Sequence, residues 1–105
     1  MFTLVVALAV AAPNPSSIDA PRKAFAACLK SFETNQIKAN VAADAYATAV
    51  KTACPAEARA LTDALVSFDV AMGTKRATAQ ATAQRDLEDY RLHSEERFRD
   101  MTTPQ

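Results

Sequence analysis

Glycine is nearly missing from this chain of 105 residues: Gly73 is the only one. That excludes functions built on a glycine-rich loop, among them the P-loop, the dinucleotide fingerprint and the nucleophile elbow. Tryptophan is absent, and His93 is the single imidazole. An excess of one charge is lacking too, since 12 Lys and Arg balance 12 Asp and Glu. Without a basic block, neither nucleic acid nor an anionic membrane surface is an expected partner. No apolar run approaches the roughly 20 residues of a membrane-spanning helix. Strand signals, whether sustained alternation or an Asn-Gly or Asp-Gly turn, are missing as well.

What the chain has in quantity is alanine, 24 of its 105 residues. Lys, Arg, Glu and Gln follow, all strong helix formers. One small all-α domain is the expectation. Its core is thin, because Ala adds little apolar area and only 17 Val, Ile, Leu, Met and Phe residues follow Ala11. Domains of this kind usually need a staple.

Met1 to Ala12 reads MFTLVVALAVAA. The stretch Leu4 to Val10 matches the apolar region of a secretory signal, and Ala9-Val10-Ala11 a small-x-small cleavage site. No Lys or Arg precedes the run, although an export signal ordinarily carries one. The expected organisation is a signal peptide over 1–11, an extended linker over 12–18, one helical domain over 19–101 and a disordered tail over 102–105. Export to the periplasm or the cell exterior follows.

Cys28 and Cys54 are the only cysteines, and both lie beyond the expected cleavage point. No Cys-x-x-Cys motif is present, which removes a redox motif and haem attachment. A zinc site using both would lack a persuasive fourth ligand. In an oxidising compartment an isolated pair is most simply a disulfide, against the alternative of two reduced, buried thiols acting as small hydrophobes. Spacing supports the bridge. Lys38-Ala39-Asn40 is the plausible turn between them, because Asn tolerates a left-handed conformation. Val41 stands 13 residues from each Cys, so two antiparallel helical arms of roughly 20 Å would bring the sulfurs level. Ala26, Ala27 and Ala53 would permit the close approach that a bridge needs.

The first helix is expected to start at Asp19 as N-cap, with Pro21 in its first turn, and to present Phe25, Cys28, Leu29, Phe32 and Ile37. The second runs from about Val41 to Ala53, with Tyr46 and Val50 inward. Pro55 suits the first position of a third helix, and Glu57 its positive end. From there an apolar stripe continues through Leu61, Leu65, Phe68, Met72, Arg76, Ala79, Ala83, Leu87, Tyr90, Ser94, Phe98 and Met101. Its steps of four, three and four residues repeat every 11, the period of a straight helix and not of a heptad coiled coil. The phase crosses Gly73 unbroken, which favours one long rod with a kink allowed there. The competing reading makes Gly73-Thr74 a turn between two helices. The fold expected is thus a disulfide-stapled antiparallel helical hairpin followed by a long third helix.

A continuous rod would carry Leu87, Tyr90, Phe98 and Met101 beyond the hairpin, exposed and in want of a protein partner or a second copy of the chain. The segment Ala77-Thr78-Ala79-Gln80, repeated as Ala81-Thr82-Ala83-Gln84, would allow close helix contact or have no role. Charges from Arg85 to Asp100 alternate at four-residue spacing, as on a solvated face.

Chemistry is sparse. Asp89, His93 and Glu96 share a helix face, yet a helical metal site normally draws ligands from other helices as well, and surface ion pairs are the simpler reading. Haem would need a second axial ligand that Met72 supplies poorly. No Ser or Cys sits beside a plausible base, and no carboxylate is flanked so as to raise its pKa. The chain is therefore read as a non-enzymatic, exported structural or interaction protein without cofactor or metal. A small-ligand or metal-binding bundle is the alternative.

Overall fold

The computed structural model describes residues 14–103 as four helices and one 3₁₀ turn. The expected signal peptide lies outside the described residues. Helix α1 spans Ser16–Lys38, so it begins inside the stretch expected to be an extended linker. The cause is local. The Asn14 side-chain Oδ1 accepts from the Ser16 N–H at 3.0 Å, and its carbonyl accepts from the Ser17 hydroxyl at 2.7 Å. Asn14 thereby satisfies a free amide of the first turn, and Pro15 occupies a position where its missing N–H costs nothing. Pro21 consequently stands within α1 and not in its first turn.

Two residues past Lys38, Asn40 takes a left-handed φ of +56° and closes the end of α1. Asn40 N–H donates to Ile37 O at 3.0 Å and Val41 N–H to Gln36 O at 3.1 Å. These two reverse bonds close the orphan carbonyls of the helix end. Helix α2, Ala43–Ala49, runs into a 3₁₀ turn, Val50–Thr52. Cys54 then adopts φ +57°, and Pro55 opens helix α3, Pro55–Ala71. Cys28 and Cys54 form a disulfide with Cα atoms 6.1 Å apart, which ties the middle of α1 to the start of α3 as the spacing requires.

Helix α4, Arg76–Thr102, is separate from α3. The continuous rod favoured by the stripe is corrected here: the chain reverses at Gly73, φ +99°. Thr74 N–H donates to Asp69 O at 2.9 Å and Gly73 N–H to Val70 O at 3.0 Å, the same reverse-bonded ending as at Asn40. An added Cβ at Gly73 would meet nothing within 4 Å, so the demand for glycine is purely one of backbone. Gly73→Ala is expected to cost about 1–2 kcal/mol, a fall in Tm of roughly 5–10 °C by circular dichroism. An unchanged melt would mean that the reversal does not need a left-handed residue.

Reversal lays α4 along the rest of the chain. Tyr90 meets Arg22 and Phe25, while Ser94 and Arg97 meet Glu33, so α1 and α4 run parallel with α3 antiparallel to both. Helix α3 covers the first half of α4, and α2 with its 3₁₀ turn covers the second. The core holds Phe25, Leu29, Tyr46, Val50, Leu61, Phe98 and, from the repeated tetrapeptide, Ala79 and Ala83. Each copy of the repeat buries one alanine and exposes the other.

Candidate functional site

Leu87 and Phe98, expected on a partner-seeking stripe, are core residues, 3% and 0% exposed. Tyr90 is half-buried, its ring edge-on to Phe25 with centroids 5.6 Å apart. Only Met101 of the four stays open, 56% exposed, beside Ile37 and Val41 in a shallow groove at the end of the bundle. The stripe thus serves its own chain, because the reversal at Gly73 supplies the surface that a straight rod would have lacked.

Between α1, α2 and α4 lies a polar chain that the sequence did not announce. Ser94 Oγ donates to Glu33 Oε1 at 2.6 Å. The single hydroxyl proton of Ser94 being used there, the Tyr46 hydroxyl donates to Ser94 Oγ, at 2.5 Å. Arg97 closes the chain from the rim, with Nη2 2.6 Å and Nε 3.1 Å from the same Glu33 oxygen. Tyr46, Ser94 and Glu33 are all buried. Tyr46 also stacks on Phe98 with centroids 3.9 Å apart and faces Phe32 at 5.6 Å. One signal was available: Glu33 continues the row Phe25, Leu29 at four-residue steps, and Ser94 stands between Tyr90 and Phe98 in the stripe of α4.

Burial pushes the Tyr46 phenol above its ordinary pKa of 10.0; the Glu33 charge acts in the same direction, while the Ser94 hydrogen bond and the Arg97 charge act against it. A phenol that stays neutral to higher pH when folded adds stability that is complete below pH 10.0 and is lost as the pH rises through the higher folded value. Urea melts should therefore show a loss of stability setting in above that point. The alkaline slope should flatten in Tyr46→Phe, and an equal slope in the variant would remove Tyr46 as its source.

The open site lies on the other flank of α4. Val50 and Lys51 of the 3₁₀ turn face Gln84, Glu88, Arg91, Leu92 and Glu95 across a groove of about 490 Å³. A second groove, about 420 Å³, runs from Lys51 and Thr52 to Arg59 and Thr62 of α3. Arg91 belongs to both. Its Nη2 donates to Ala53 O at 3.0 Å, and its guanidinium carbon stands 5.4 Å from the centroid of the Phe25 ring. Its Nε is buried without a hydrogen-bond partner. Burial lowers the Arg91 pKa, though a guanidinium stays charged at physiological pH. Leu92 beside it is 49% exposed. The four-residue pairing expected of Arg91 with Glu95 gives way to this inward contact, whereas Glu95 does meet Arg99, at 3.5 Å.

No family model matches the chain, and no curated protein or solved structure does either. The site is read from its residues alone. The groove offers one exposed leucine, two cations and two carboxylates, with no nucleophile placed beside a base. Such a surface can dock a side chain and pair charges around it, as protein interfaces do with an apolar centre and a polar rim.

Proposed function

We propose that this protein is an exported, disulfide-tied helical domain that works by binding a different protein through the groove between α4 and the 3₁₀ turn. The observation that carries the reading is Leu92. It stands half exposed at the middle of α4, where Leu87 and Phe98 face inward, whereas the exposed Met101 lies at the far end of the helix beside a different groove. Lys51, Glu88, Arg91 and Glu95 surround Leu92, charges of both signs that would select a partner's register. The disulfide supports an oxidising compartment, and no described helix is long and apolar enough to cross a membrane. A second copy of the chain is the less favoured partner, because the stripe that would have paired two copies is used in the core.

A photo-crosslinking side chain at position 92 tests the reading in the producing cell. It should yield one discrete adduct of higher mass, while the same group at the exposed Asp63 of α3 yields none. Leu92→Asp should leave the melting temperature unchanged and abolish adduct formation from a crosslinker placed at Glu88. Identical patterns at positions 92 and 63 would overturn the groove as the binding surface. A native N-terminus still at Met1 would overturn export.

A further inference from the structure

We propose that the reduced form of this chain is a receptor for a thiophilic divalent cation, held by Cys28, Cys54 and Glu57, so that oxidation and metal occupancy exclude one another. The two sulfurs and a Glu57 carboxylate oxygen lie within 4.8 Å of one another. All three residues belong to one joint. Cys28 comes from the middle of α1, Cys54 sits at the left-handed corner before α3, and Glu57 stands in the first turn of α3. A tetrahedral zinc with Zn–S near 2.3 Å sets its sulfurs about 3.8 Å apart, a separation that two side chains on Cα atoms 6.1 Å apart reach by rotation about χ1. Two thiolates and a carboxylate leave one position to water, the donor count of an open zinc site. Soft sulfur favours Zn²⁺ over Mg²⁺ or Ca²⁺. The fourth protein ligand that a closed structural site would need is thus not required.

The exchange balances as follows. A dithiol reductant gives two electrons and two protons to the Cys28–Cys54 bond, the S–S bond breaks to two thiols, and the reductant becomes a disulfide. Metal binding then releases both thiol protons to solvent. The metal restores the α1–α3 tie that reduction removes, independently of any partner at the α4 groove.

The test uses the full chain reduced with a phosphine, and Co²⁺ as a spectroscopic probe. Reduced protein should bind one Co²⁺ per chain, with sulfur-to-cobalt charge-transfer and tetrahedral ligand-field bands that Zn²⁺ bleaches. Oxidised protein should show neither. Glu57→Gln should weaken Co²⁺ binding by about tenfold or more, given that losing even an outer-sphere partner costs this much, and Cys28→Ser should abolish the charge-transfer band. If reduction lowers the helical signal, Zn²⁺ should restore it. The proposal is overturned by reduced protein without cobalt bands, by equal affinity in Glu57→Gln, or by a lost helical signal that Zn²⁺ does not recover.

Discussion

Replacing Cys28 and Cys54 together by alanine is expected to lower the unfolding free energy by about 3.5 kcal/mol. The bridge closes a loop with a sequence separation of 26, and this figure is the chain entropy that such a closure removes from the unfolded state. Losing the two sulfur atoms from packing is the smaller effect, about 1 kcal/mol at most. Alanine keeps the left-handed strain at position 54 much as cysteine does, so the double variant isolates the cross-link. Against a domain stability of about 5 kcal/mol at the low end, little more than a tenfold preference for the folded state would remain. Urea denaturation should show a lower midpoint together with a steeper slope, because the freed unfolded chain exposes more surface. A midpoint shift worth under about 1 kcal/mol would mean that α1 and α3 hold together by packing alone.

How much of this architecture was legible depends on how far the deciding interactions reach. The Asn40 reversal, the Cys54-Pro55 joint and the sharing of one helix face by Ala79, Ala83, Leu87, Ser94 and Phe98 rest on neighbours within one or two turns and can be read from the residues, whereas what that face packs against cannot. The reversal at Gly73 was concealed by the regularity of the stripe. Both arms of the α3–α4 hairpin turn their apolar residues to one core, and the four residues 72–75 between them add close to one helical turn of 3.6 residues. The phase is therefore kept whether the chain continues or folds back. Only the lone glycine marked the choice. From that error followed the expectation that Leu87, Tyr90, Phe98 and Met101 seek a partner, when a folded-back α4 gives three of them a place within the chain.

Glu33 was hidden for a different reason. Carboxylates are seldom buried, and its partner Arg97 stands 64 residues away, so its place in the row of Phe25 and Leu29 was the one local sign that set it apart from a solvated residue. The Arg91 contact with Ala53 O spans 38 residues and is silent in the sequence. Local reading gave Arg91 to Glu95 on a wet face, where tertiary packing instead draws it under the groove. The candidate site was thus less legible than the fold, since it is assembled from the 3₁₀ turn and α4 by contacts between distant segments.

Arg97→Ala is expected to destabilise the protein by about 3 kcal/mol, whereas Glu33→Leu should cost far less, within about 1 kcal/mol of wild type. The asymmetry follows from where each charge would be left. Arg97 has a side chain 44% exposed and that of Glu33 is 5% exposed. Without Glu33, the guanidinium swings into water and keeps its solvation, while a leucine extends the apolar row of Phe25 and Leu29. Without Arg97, the carboxylate is left in the core with Ser94 as its remaining donor, and burying an unpaired charge is the costly case. Ser94 would lose its acceptor in Glu33→Leu but could turn its proton to the Tyr46 oxygen, so that only one donor is left over. Stability curves in urea for the two single variants measure the difference directly. Equal losses in both variants would show that Glu33 is held by its packing and not by its charge partner.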